Sequence, residues 1–209
     1  KFYQFWAKGN ADGSFTIPNV RPGKYNIFAF TDGALGEYNK ADIIVEKGKP
    51  LNLGNLTWTP VRKGKQVWDV GIPNRNASEF AGADQRRDPT ISIKYAALFP
   101  NDVNYVIGKS NYSKDWFFQH IPHNVDPAAK PIEYSGVRSA PGRPTPYSVQ
   151  FDLASAPSAT GKAYLRFAIC GGGARSADIE GNGKPAGKLT GLVGDGTITR
   201  HGSQGIWYE

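Results

Sequence analysis

A chain of 209 residues, 39% hydrophobic and 12% aromatic, can bury a substantial core and is long for one small β-sandwich, so two domains are expected. Its 25 Lys+Arg against 18 Asp+Glu give a formal net charge of +7 and a pI near 9.4, a balance that suits a polyanion: nucleic acid, anionic lipid or acidic polysaccharide. The basic residues are scattered, with no Lys/Arg block, zinc-finger spacing or RNP-like run, which argues against nucleic acid; no apolar run approaches the ~18 residues that span a membrane.

The high counts of Gly (25) and Pro (15), with no sustained helical periodicity, predict an all-β chain of short strands joined by turns. The first sixty residues alternate strand and turn: "FYQFWAK", the turn "GNADG", "SFTIPNV", the turn "RPGK", "YNIFAFT", and then "ADIIVEKGK" and "LNLGNLTWTP". Asp12–Gly13 and Pro22–Gly23 supply the positive or preset φ that tight turns need. In "KYNIFAF", alternation puts Tyr25, Ile27 and Ala29 on one face and Asn26, Phe28 and Phe30 on the other; both faces are apolar enough to predict a central strand.

Around "TPVRKGKQ" a short polar link intervenes, which places a domain boundary near residue 61. Beyond it the candidate strands are "QVWDVGI", "NYVIGKS", "DWFFQHI", "YSVQFDLA", "GKAYLRFAICG", "SADIEGNGKPA", "LTGLVG" and "GIWYE". Eight or so short strands with Gly/Pro turns predict a jelly-roll-like sandwich over 62–209. "TISIKYAALFP" reads as a helical or irregular interruption, and "NVDPAAKPIEYSGVRSAPGRPTP" as a long Pro-rich loop. Cys170 is the one cysteine, so no disulfide forms within the chain, and its apolar flank predicts a buried thiol in a strand. The opening "KFYQFWAKG" reads as a strand rather than a leader. With Met 0, the chain is expected to be a processed product or a piece of something longer. Asn55, Asn76 and Asn111 each open an Asn-x-Ser/Thr sequon, which permits glycosylation in a secretory pathway.

Enzyme signatures are weak. His120 and His123 are separated by Pro122, which rules out the regular helix that would set them on one face, and no acid follows at metal spacing. Cys170 has no catalytic-thiol signature, and "GGGARS" lacks the Lys-Ser/Thr ending of a phosphate loop. Neither a metal site nor a required cofactor is expected, and structural calcium is left open because no compact acidic run marks a site.

Carbohydrate binding suits the composition better. Sugars present apolar C–H faces to aromatic rings, and a uronate carboxylate asks for a fixed Arg or a Lys. "NYSKDWFFQH" holds Lys114, Asp115 and Trp116, and "TRHGSQGIWYE" repeats the same chemistry with Arg200, His201 and Trp207. The competing reading is that the aromatics, Phe117 above all, fill a core, while the Lys114–Asp115 pair clamps one domain against another.

"GSFTIPNVRPGKYNIFAF", "VWDVGIPNRNASEF", "YVIGKSNYSKDWFF" and "GLVGDGTITRHGSQGIWYE", in that order and spacing, resemble the C-terminal half of the rhamnogalacturonan lyases of polysaccharide lyase family 4. The resemblance implies a fibronectin-III-like sandwich over 1–61, lacking its first strands, followed over 62–209 by a jelly-roll domain similar to carbohydrate-binding modules. It also implies a secreted, extracellular parent enzyme that cleaves rhamnogalacturonan I, a pectin, by β-elimination at galacturonate, with its lysine and histidine in an upstream domain. No catalytic residue is carried onto this chain. Its expected partners are that upstream catalytic domain and the acidic polysaccharide, with neither nucleic acid nor membrane, and a monomer is the default. Lys114 and Arg200 would then meet carboxylates and Trp116 or Trp207 a sugar face; a free-standing pectin-binding module and a purely structural module are the alternatives.

Overall fold

The computed structural model describes residues 3–74, 76–85, 88, 90–121, 123–125, 142–169, 176–192 and 206–208, with the backbone alone at 123–125, 142–143 and 206–208. The chain divides into two compact units, Lys1–Val61 and Arg62–Glu209. Strands dominate both, so the chain is all-β.

Within the first unit, β1 (Gly23–Ala29) and β2 (Tyr38–Val45) form an antiparallel hairpin whose register shifts between Tyr25 and Ile27. The bulge arises where Asp42 adopts φ 63° and the Asn26 side-chain oxygen accepts its N–H at 3.3 Å. Among the described residues β1 pairs with β2 alone, and Ile43 is the buried residue of this hairpin. The stretch "LNLGNLTWTP" is not a strand: Asn52 accepts the Gly54 N–H at 2.8 Å, and Gly54 turns the chain at φ 64°. The "GNADG" turn forms as its residues dictate, with Asp12 accepting from both the N–H and the hydroxyl of Ser14 at 2.9 and 2.7 Å. The segments that flank this turn, expected as strands, are irregular.

Among the described residues, the second unit is built on one aromatic core. After a 3-10 turn at Ala83–Gln85, "TISIKYAALFP" folds as α1 (Ile91–Leu98), followed by β3 (Val103–Val106). Asp88 organises the start of α1, accepting from Thr90 N–H (2.8 Å) and Thr90 hydroxyl (2.6 Å) while it pairs with Lys94. The Lys94 hydrogen bond, ahead of those from Thr90, lowers the Asp88 pKa to about 2. Helix α1 contributes Tyr95, which is fully buried; it stacks on Phe99 at 5.6 Å and meets Phe117 edge-on at 5.3 Å. Val103 and Ile121 complete the cluster, with Trp116, Phe118 and Tyr147 packed against it.

Next come α2 (Tyr112–Asp115), β4 (His123–Val125), β5 (Gly142–Pro144) and β6 (Tyr147–Gln150). Strand β6 runs parallel to β3, with Val103 opposite Tyr147 and Val106 opposite Gln150, and β4 pairs antiparallel with β5. The segment "DWFFQHI" is not a continuous strand: Asp115 ends α2, and Phe117 makes a single parallel bridge to Ala81. Gly82, at φ 76°, permits this approach, because a Cβ there would lie 2.4 Å from the Phe117 ring.

Farther on are β7 (Phe167–Ile169), β8 (Ser176–Gly181), β9 (Lys184–Thr190) and β10 (Ile206–Tyr208), with β7 antiparallel to β10. "SADIEGNGKPA", expected as one strand, is a hairpin of β8 and β9, turning at Asn182 (φ 52°) and Gly183 (φ 72°), the pair of positive angles that an Asn-Gly turn supplies. Most of the Pro-rich loop, together with Cys170 and residues 171–175 of "GGGARS", lies outside the described residues, while Ser176 opens β8.

Candidate polysaccharide-binding surface

Local hydrogen bonds hold the α2 turn that carries Lys114, Asp115 and Trp116. Asn111 caps it, its side-chain oxygen accepting from the N–H and the hydroxyl of Ser113, both at 2.9 Å. Asp115 answers in the other direction, its carboxylate accepting the Asn111 N–H at 2.7 Å. The Asp115 charge is thus committed to the turn itself, and Lys114 projects from the same turn as an exposed cation.

Trp116 is half-buried and ringed by other aromatics. It meets Tyr147 edge-on at 5.2 Å and Tyr105 edge-on at 5.9 Å, and Phe80 lies tilted at 6.4 Å. Phe80 in turn meets Tyr112, also half-buried, at 6.0 Å. Burial first, and the Asp115 charge second, raise the Tyr105 pKa; burial likewise holds Tyr147 well above the usual phenol range, and its hydroxyl donates to the Gln119 carbonyl at 2.7 Å.

Of the residues singled out in the sequence, the fold brings Lys114, Asp115 and Trp116 together on one turn. Arg200 and His201 lie outside the described residues. Trp207 sits on β10 opposite Ala168 of β7, with its backbone alone described. His120 is not set up as a metal ligand: its Nε2 donates to the Thr145 carbonyl at 2.7 Å, with the ring 4.6 Å from that of Tyr147. Among the described residues no group of three His, Cys, Asp or Glu side chains could hold a metal ion, and no helix is long and apolar enough to cross a membrane. Sequence reasoning missed Tyr112 and Phe80. Tyr112 is two residues before Lys114 and was open to the same reasoning, whereas Phe80 arrives through the bridge between residues 81 and 117 and leaves no local signal.

Comparison with known proteins decides the family. The family model "Polysaccharide lyase family 4, domain III", described as CBM-like, matches residues 66–209, and "Polysaccharide lyase family 4, domain II" matches residues 1–53. The chain belongs to polysaccharide lyase family 4. It consists of the accessory domains II and III of that family, a fibronectin-III-like and a carbohydrate-binding-module-like domain in an all-β sandwich architecture. Similar curated proteins include the "Probable rhamnogalacturonate lyase B" of Aspergillus flavus, 31% identical over 145 residues, which covers 63% of this chain and 22% of that protein. The protein of the same description from Aspergillus terreus is 33% identical over 130 residues, covering 56% of this chain and 19% of the relative. "Rhamnogalacturonate lyase B" of Emericella nidulans is 30% identical over 129 residues, with the same two shares. The chain thus spans about a fifth of the length of these family 4 relatives. No solved structure gives a significant match.

Proposed function

We propose that this chain is the non-catalytic, C-terminal portion of a secreted rhamnogalacturonan lyase and that it holds the acidic polysaccharide for a catalytic domain of the same protein. The observation that carries the reading is the consecutive match to family 4 domains II and III, together with relatives named as rhamnogalacturonate lyases. The basic balance of the chain and the exposed Lys114 support a polyanionic ligand, because an ammonium offsets a uronate carboxylate. Cleavage by β-elimination needs a base at C5 of galacturonate and a counter-charge for the adjacent carboxylate, and both belong to the upstream domain.

Affinity electrophoresis of the chain in gels containing rhamnogalacturonan I, with neutral galactan as control, tests this. Retardation by the acidic polymer alone is expected. Lys114→Ala should weaken binding about two- to fivefold, the range of a single exposed charge contact, and no absorbance from unsaturated uronate should appear. Equal mobility with and without the polymer would remove the binding role and leave a structural module; unsaturated product from this chain alone would overturn the non-catalytic assignment.

A further inference from the structure

A second aromatic set lies along the face of β6 that Trp116 also uses. Period-two alternation puts Tyr147 and Val149 of β6 on one side of the strand, and Phe151 follows directly after its last residue. Trp116 closes over the Tyr147 end at 5.2 Å, and Trp68 meets the Phe151 end at 5.5 Å with planes tilted by 52°. Three residues, 148–150, lie between the two ends, a span of about 13 Å at the strand rise.

The ends differ in cover. Tyr147 packs on the core, while Phe151 and Leu153 keep 44% and 46% of their surface exposed. Arg62, Lys63 and Lys65 precede Trp68, and Lys63 places its ammonium 4.9 Å from the ring centroid of Tyr164, itself 53% exposed. Arg62 is steadied by a hydrogen bond to the Gln66 side-chain oxygen at 3.2 Å.

We propose that this surface, with Trp68 and Phe151 at one part and Lys63 over Tyr164 at another, is a second contact for an acidic polysaccharide, separate from the α2 turn. The charge selects the occupant. An apolar protein or lipid face laid on these rings would strip water from the Lys63 ammonium and bring no carboxylate to it. A uronate chain brings carboxylates to the cations and C–H faces to the rings in the same approach. The inference rests on the polysaccharide-holding reading above and adds a second place of contact.

The test titrates the full 209-residue chain, unaltered and as Tyr164→Ala, Lys63→Gln and Lys114→Ala, with rhamnogalacturonan I oligosaccharides, recording the thermal midpoint of each variant. Tyr164→Ala is expected to weaken binding about three- to tenfold, the range of an ordinary aromatic contact, with an unchanged thermal midpoint because the ring is at the surface. Lys63→Gln should weaken it and reduce its salt dependence. If Lys114→Ala weakens binding while Tyr164→Ala and Lys63→Gln leave it unchanged, the second contact is refuted and the polysaccharide-holding reading stands. If the unaltered chain does not bind, both fall. If Tyr164→Ala alters the sedimentation of the chain and not its affinity, the surface is a contact between copies and the proposal is overturned.

Discussion

The two ends of the stretch from Tyr147 to Phe151 hold similar chemistry and meet different fates. Around Tyr147, the rings of Trp116, Tyr95 and His120 enclose a half-buried residue, whereas Phe151, paired with Trp68, keeps 44% of its surface exposed. The contrast teaches that aromatic content alone does not mark a sugar site. What separates the two ends is whether the fold itself supplies the cover.

The sharpest way to break the contrast is to damage the closed side. Phe117 is 1% exposed and touches Tyr95, Phe99 and Phe118. Phe117→Ala should cost ~3–5 kcal/mol and lower the thermal midpoint on the order of 10 °C, whereas Tyr164→Ala should leave it in place. Equal effects of the two variants on calorimetric melting would erase the distinction between closed and open aromatics.

A smaller effect is expected where the backbone makes room for that ring. Gly82→Ala puts a methyl group 2.4 Å from Phe117 on a residue at positive φ, so a loss of about 1–3 kcal/mol is expected in urea unfolding. A wild-type midpoint would mean that the bridge between residues 81 and 117 yields without penalty.

The smallest effect depends on pH and touches the entry to α1. The Asp88 carboxyl titrates at about 2 in the fold against 3.8 for the free group, because Lys94 and Thr90 bond its ionised form. Its contribution is therefore complete above about pH 4 and is lost as the pH falls through 2. Asp88→Asn should lower the melting midpoint at pH 6 slightly and flatten its fall between pH 4 and 2; an unchanged acid limb would assign that fall to other carboxylates.

Local chemistry was legible in the sequence, and distant chemistry was not. The Asp12–Gly13 turn follows from residues that bond within two positions, and the all-β class from composition and alternation. The Asn182–Gly183 turn carried the same kind of signal, and reading through it as one strand missed a hairpin. The parallel pairing of β3 with β6 joins segments more than forty residues apart, and period-two patterning carries no partner information across that distance. Lys114, Asp115 and Trp116 were found as neighbours, yet the cap that commits Asp115 to Asn111 and the rings that enclose Trp116 exist only in the folded chain. The surface around Lys63 and Tyr164 escaped because its halves come from two stretches a hundred residues apart, each unremarkable alone.

The most direct measurement of the central claim is a calorimetric titration of the chain with rhamnogalacturonan I oligosaccharides at low and at high salt. The account predicts saturable heat whose Kd rises with salt, with none from neutral galactan. Absence of saturable heat at low salt, or binding as tight at high salt as at low, would contradict a surface that holds an acidic polysaccharide through its cations.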